Sequence, residues 1–319
     1  MRTRRLVSRA LLAALVSLAI SPLNASAQAT SYLTQWGTFG TGDGQFGYPH
    51  DVAVDGSGNV YVADLWNNRV QKFTGSGTFL GQWSTYRPFG VVVDPSGNVY
   101  VADGDNDQIH KYTNAGALLV SWGSTGTGNG QLRHPGDVAL DAEGNVYVAD
   151  CDNGRVQRFT SNGEYLTQWG GIGTGNGQFS NVYAVAIDAA GNVYVGDGND
   201  HIQKFTSSGA FLGRWGITGT GPGQFDTPYS IAVDANGLVY VVDGGNHRVE
   251  VFTSSGTFIT QWGGLGSGNG QFRYPIGVAE GPNGTVYVCD QHNNRIQAFA
   301  PRAVPAKSTS WARIKRLYR

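Results

Sequence analysis

VAVDGSGNVYVAD, Val52 to Asp64, recurs as VVVDPSGNVYVAD from Val91, VALDAEGNVYVAD from Val138, VAIDAAGNVYVGD from Val185, IAVDANGLVYVVD from Ile231 and VAEGPNGTVYVCD from Val278. The closing aspartate stands at 64, 103, 150, 197, 243 and 290, in steps of 39, 47, 47, 46 and 47 residues, the period of propeller blades. Within one unit the apolar runs are short and separated by turn residues, as in Val138–Leu140, Val146–Ala149, Val156–Phe159 and Tyr165–Trp169. These runs are read as strands a to d of a four-stranded blade. Asp-x-x-Gly-Asn between a and b is a hairpin signal, because Gly accepts positive φ and the Asp side chain bonds its own backbone. With 48 Gly, one Met and 14% charged residues among 319, the composition agrees: the chain is expected to be all-β.

The frame is offset at its ends. Tyr32-Leu33-Thr34-Gln35-Trp36 matches the strand d that ends other units, while the last unit stops at Phe299-Ala300-Pro301 without one. The N-terminal strand therefore completes the last blade, which hides two sheet edges and closes a ring of six.

Outside the repeats, residues 1–27 read as a signal peptide: Arg2, Arg4, Arg5 and Arg9 precede an apolar run from Ala10 to Ile20 and an Ala25-Ser26-Ala27 cleavage site. That run is too short to span a bilayer, and no other segment is a candidate. The protein is expected to be secreted, or held in the periplasm or cell envelope. Residues 302–319 form a basic tail suited to contact with an anionic envelope surface. The propeller between them, 28–301, carries 12 cations against 23 anions. Such a body repels phosphate backbones, which argues against nucleic acid as a partner. Cys151 and Cys289 fall on opposite blades, beyond the roughly 7 Å between Cα atoms that a disulfide allows, so both are expected to be free.

The units resemble NHL repeats, whose pattern includes P-x-x-[VI]-[AV]-[VI]-D, G-[NL]-[VI]-Y-V-[AV]-D and N-x-R-[VI]-Q-x-F, and the resemblance runs from about Tyr32 to Phe299. It implies a six-bladed β-propeller of the kind found in secreted bacterial proteins. It implies little about activity, since similar repeats occur in kinase sensor domains, RNA-binding regulators and a peptide-amidating lyase. In that lyase, Pro-His-[GD]-[LI] at alternate inner strands supplies three histidines to a zinc. Here Pro49-His50-Asp51-Val52 matches, but Pro135-Gly136-Asp137-Val138 and Pro228-Tyr229-Ser230-Ile231 do not. One imidazole cannot replace three, so neither a metal nor another cofactor is expected.

Residues repeated in nearly every blade are read as scaffold: the six aspartates, the Asn that follow them, Arg69, Arg155, Arg248 and Arg295, and one Trp per blade at 36, 83, 122, 169, 215 and 262. The Gly-rich segments such as Gly42-Asp43-Gly44-Gln45-Phe46 precede no helix and so are connections, not phosphate cradles. Candidate ligand contacts are the residues that differ between blades on the face shared by the d-to-a and b-to-c connections, here the top. They are His50, Asp51, Trp66, Phe89, His134, Asp137, Tyr183, Tyr229, His247 and His292, with Trp66 as a stacking platform. The expected function is a non-catalytic, monomeric scaffold that binds a protein, peptide or glycan through this face. A lyase or hydrolase working at the top of the channel, similar to the amidating lyase, is the alternative.

Overall fold

A computed structural model describes residues 30–301; the signal-peptide and basic-tail readings lie outside the described residues. Among these residues, 24 strands form six four-stranded antiparallel sheets in a ring, the six-bladed propeller expected. Blade 1 runs Pro49–Val54, Val60–Asp64, Arg69–Phe73 and Phe79–Ser84 as strands a to d. Blade 6 contains Pro275–Glu280, Val286–Asp290 and Arg295–Phe299, and its fourth strand is Tyr32–Trp36. That closing strand pairs Trp36 with Ile296 and Tyr32 with Phe299, and Arg295 donates to Gln35 Oε1 at 2.7 Å. No helix among the described residues is long and apolar enough to cross a membrane.

Local chemistry builds each blade in the same way. Asp55 turns strand a into strand b by accepting the N–H groups of Ser57 and Asn59, each at 2.9 Å. Asp64 at the end of strand b is fully buried and accepts from Gly47 N (2.7 Å), Arg69 Nε (2.7 Å) and Gln71 Nε2 (3.0 Å). The rest of the Arg69 guanidinium donates to the carbonyls of Thr41, Gly42 and Gln45, so one ion pair anchors the long loop that precedes the blade. The same pair recurs as Asp150–Arg155, Asp243–Arg248 and Asp290–Arg295. Blade 2, which follows a short connection, has Gln108 in place of the arginine, and blade 4, which follows a full-length loop, has His201.

The cores lie between blades, not at the axis. Tyr61, Ala63 and Val70 of blade 1 pack on Val91, Val99 and Val101 of blade 2, and analogous clusters fill the other junctions. The repeated tryptophans seal them, with Trp36 of blade 6 against Phe73 of blade 1 at 5.8 Å. Both cysteines are buried and free.

Candidate functional site

Each inner strand begins with a register irregularity at its second residue, for example between Pro49 and Asp51 and between Pro135 and Asp137. Such a bulge re-aims one side chain. The six residues concerned are His50, Phe89, Gly136, Tyr183, Tyr229 and Ile276, and all six line one cavity of about 240 Å³ at the top of the axis.

The entry to this ring is set by a backbone latch. Tyr48, Arg87, His134, Thr227 and Tyr274 each precede a proline, a position that favours extended backbone, yet they have φ of 57°, 29°, 50°, 64° and 56°. Each donates its N–H to the preceding blade: to Asn294 Oδ1, Asn68 Oδ1, Asp107 Oδ1, Asp200 Oδ1 and His247 Nδ1, at 2.7–3.1 Å. The hydrogen bond offsets the roughly 1–2 kcal/mol cost of the left-handed conformation. The junction between blades 3 and 4 departs from this rule. Gly154 has no side chain to accept, Val182 replaces the proline, and Asn181 has no positive φ. Cys151 lies there instead, its thiol donating to the Val182 carbonyl at 2.7 Å.

Ring size at the mouth is matched by the residue after each blade aspartate. Phe89, Tyr183 and Tyr229 face Gly104, Gly198 and Gly244, where an added Cβ would come within 2.6–3.4 Å of a ring atom. Gly136 reverses the arrangement: a Cβ there would lie 2.6 Å from Cys151 Sγ. Bulk is thus moved from the inner strand to the loop at one blade, which opens that side of the cavity.

One residue on from the bulge, the inner strands read Asp51, Gly90, Asp137, Ala184, Ser230 and Gly277 around the ring. Asp51 accepts Val91 N at 2.8 Å, Asp137 accepts Val185 N at 2.9 Å, and Ser230 Oγ accepts Val278 N at 3.2 Å. The small residues of even blades make room, since a Cβ on Gly90 or Gly277 would lie 2.7–2.8 Å from the Cα of Asp137 or Asp51. Asp51, Asp137 and Ser230 border both the upper cavity and the shaft beneath it, and so form a waist in the channel.

Burial dominates the electrostatics. It holds His50 down to about 4, so the imidazole is neutral at physiological pH. Its Nδ1 lies 3.0 Å from the Phe89 carbonyl, which only accepts, so Nδ1 carries the proton and Nε2 is left as an acceptor. Burial, together with repulsion from Asp137, pushes Asp51 well above the usual carboxylate range, and burial lifts Asp137 to about 7. The Cys151 thiol is pushed up as well, again by burial.

Of the ten residues expected to contact ligand, His50, Asp51, Phe89, His134, Asp137, Tyr183 and Tyr229 line this cavity. Trp66, His247 and His292 do not. His247 serves as a latch acceptor, while Trp66 is 53% exposed and stacks on Tyr48 at 3.7 Å. They are nonetheless connected to the cavity by aromatic contacts: Tyr48 to His292 (5.3 Å), His292 to Tyr274 (5.0 Å), Tyr274 to Tyr229 (5.5 Å) and Tyr229 to Tyr183 (5.2 Å). Ser230, Cys151 and Asn181 also line the cavity and were not singled out from sequence. Ser230 stands in register with Asp51 and Asp137, which is the signal that could have found it.

The NHL repeat family model matches residues 46–73, 85–112, 132–159, 225–252 and 272–299, passing over blade 4, where Val182 and His201 replace the usual Pro and Arg. NHL repeat-containing protein 3 of Homo sapiens is 45% identical over 49 residues, 15% of this chain and 14% of that protein, so the chain matches a small part of its length. Among solved structures, a Bacteroides thetaiotaomicron protein of unknown function superposes with a TM-score of 0.68 at 20% identity, covering 85% of this chain and 76% of that one. A Xanthomonas campestris gluconolactonase gives 0.62 at 16% identity (81% and 88% covered), and virginiamycin B lyase of Staphylococcus aureus gives 0.56 at 15% (78% and 79%). At these identities the likeness is one of fold.

Proposed function

Given that the chain belongs to the NHL-repeat proteins and folds as a six-bladed propeller, we propose that it is a non-catalytic binding module whose ligand enters the mouth cavity from the top face. One observation carries this reading: the repeated residues are consumed in holding blades together, whereas seven of the ten top-face residues that vary between blades line a single cavity. A cavity with aromatic walls and a few polar groups at its floor is the usual form of a ligand site. The run of aromatic contacts from Trp66 to Tyr183 offers a sugar or peptide a series of rings leading inward. In keeping with the leader in the sequence, the proposed place of action is outside the cytoplasm, which N-terminal sequencing of the protein from an envelope fraction would test by an end at Gln28.

Peptide and glycan arrays test the binding reading. Specific ligands should bind the wild-type protein and lose at least tenfold in affinity on Tyr229→Ala or Phe89→Ala. Unchanged binding in both variants would remove the cavity from the reading. A second reading, acid–base catalysis of a lyase or hydrolase type, is favoured by His50 Nε2, neutral and free to accept, above an Asp137 that titrates near 7. The lyase and lactonase named above share the fold, which lends this alternative context but no residue. Mass spectrometry of bound ligand after overnight incubation separates the two: recovery of intact ligand supports the module, and a product lost in His50→Gln supports the enzyme.

A further inference from the structure

Four of the six buried blade aspartates, Asp64, Asp150, Asp243 and Asp290, have an arginine at 2.6–2.9 Å. The two waist aspartates have none. Among the described residues no ion pair involves Asp51 or Asp137, although Asp51 is buried and both line the cavity. Their partners are backbone N–H groups, of Val91 and Val52 for Asp51 and of Val138 and Val185 for Asp137. A buried carboxyl without a cation is costly, and two that repel each other are more so.

The fold does not require carboxyls here. Ser230 occupies the same register in blade 5 and makes the same inter-blade bond with no charge at all. What the carboxyls add to the waist is therefore a demand for positive charge, placed at the floor of a cavity walled by Phe89, Tyr183 and Tyr229. Aromatic faces attract cations, most strongly when desolvated. The surroundings do not answer the demand: His50 is neutral, Arg87 at the rim is paired with Asp105 at 2.9 Å, and Asp152 adds a further carboxylate to the lining. We propose that the mouth cavity is a receptor for a cationic nitrogen, the ammonium or guanidinium end of a basic side chain, seated on Asp51 and Asp137 and faced by the three aromatic rings. This deepens the binding-module reading and rests on it. Burial and mutual repulsion hold the carboxyls back from full ionisation in the empty cavity, and an incoming cation relieves both penalties.

The test titrates the full-length protein by calorimetry with the N-acetyl methylamides of lysine and arginine, and with that of norleucine as the uncharged probe of similar length. The basic probes should bind at least tenfold more tightly than norleucine. Asp51→Ser with Asp137→Ser, which installs at both positions the residue the chain already carries at 230, should abolish that preference by weakening the basic probes at least tenfold. If the double variant fails to fold, Phe89→Leu and Tyr229→Leu should each reduce the preference severalfold while keeping the cavity apolar. Equal binding of the three probes, or a preference that survives the serine substitutions, overturns the cation assignment. In that case array ligands lost in Tyr229→Ala would still support the module; absence of array ligands as well would remove both readings.

Discussion

Cys151 Sγ lies 2.7 Å from the carbonyl oxygen of Val182, and this contact joins blades 3 and 4 where the left-handed latch of five other junctions is missing. A thiol is a weak donor, so the substitution of latch by thiol makes this junction depend on packing. The space for the sulfur comes from Gly136, whose backbone φ is ordinary but whose hypothetical Cβ would lie 2.6 Å from it.

Gly136→Ala should therefore destabilise the protein by about 1–3 kcal/mol through overpacking, read as a lower denaturation midpoint. Adding Cys151→Ala removes the obstructing atom, and the double variant should recover most of that loss. Simple additivity of the two effects in a double-mutant cycle would show that the residues do not share the space.

Asn294→Ala leaves the Tyr48 N–H without its acceptor and puts alanine at φ 52°. The expected cost is about 1–3 kcal/mol. Asn68→Ala at the next junction should cost a similar amount; a loss within 0.5 kcal/mol in both would show that solvent satisfies the donors equally well.

An aspartate that titrates near 3.8 when unfolded and near 7 when buried binds its proton more tightly in the folded protein. Its contribution to stability is present below about pH 4 and is lost as pH rises through 7. The decline in thermal midpoint between pH 5 and pH 8 should accordingly be shallower in Asp137→Ser than in wild type, with the variant the more stable of the two at pH 8. Parallel profiles would contradict the assignment.

His50 should show no change of charge between pH 5 and pH 8. Long-range proton–nitrogen spectra should report a neutral ring protonated on Nδ1 throughout, as its bond to the Phe89 carbonyl requires. Titration of this ring near pH 6.5 would place it in water.

The architecture was legible because turn chemistry and the blade aspartates repeat at fixed offsets, so register alone yields six sheets and the exchanged strand. The cavity was legible in part, because the bulged residues differ between blades and stand at the same offset from Pro49 and its counterparts. Residues of the b-to-c loops were harder to place. Whether His247 points to the axis or accepts from Tyr274 N depends on a left-handed backbone that sequence does not display, since the proline after Tyr274 argues for extended geometry. The exchange of bulk between Gly136 and Cys151 requires knowing that residues far apart in the repeat share one space.

The clasp between Tyr32–Trp36 and Arg295–Phe299 has a consequence for biosynthesis. The strand made first waits for a partner about 260 residues further on. At elongation rates of about 5–20 residues per second that interval is roughly 15–50 s, during which one edge of the nascent chain stays open while five blades assemble. Completion of the ring is thus timed by its last strand, and a ribosome stalled inside blade 6 would hold an unclosed arc with two free sheet edges.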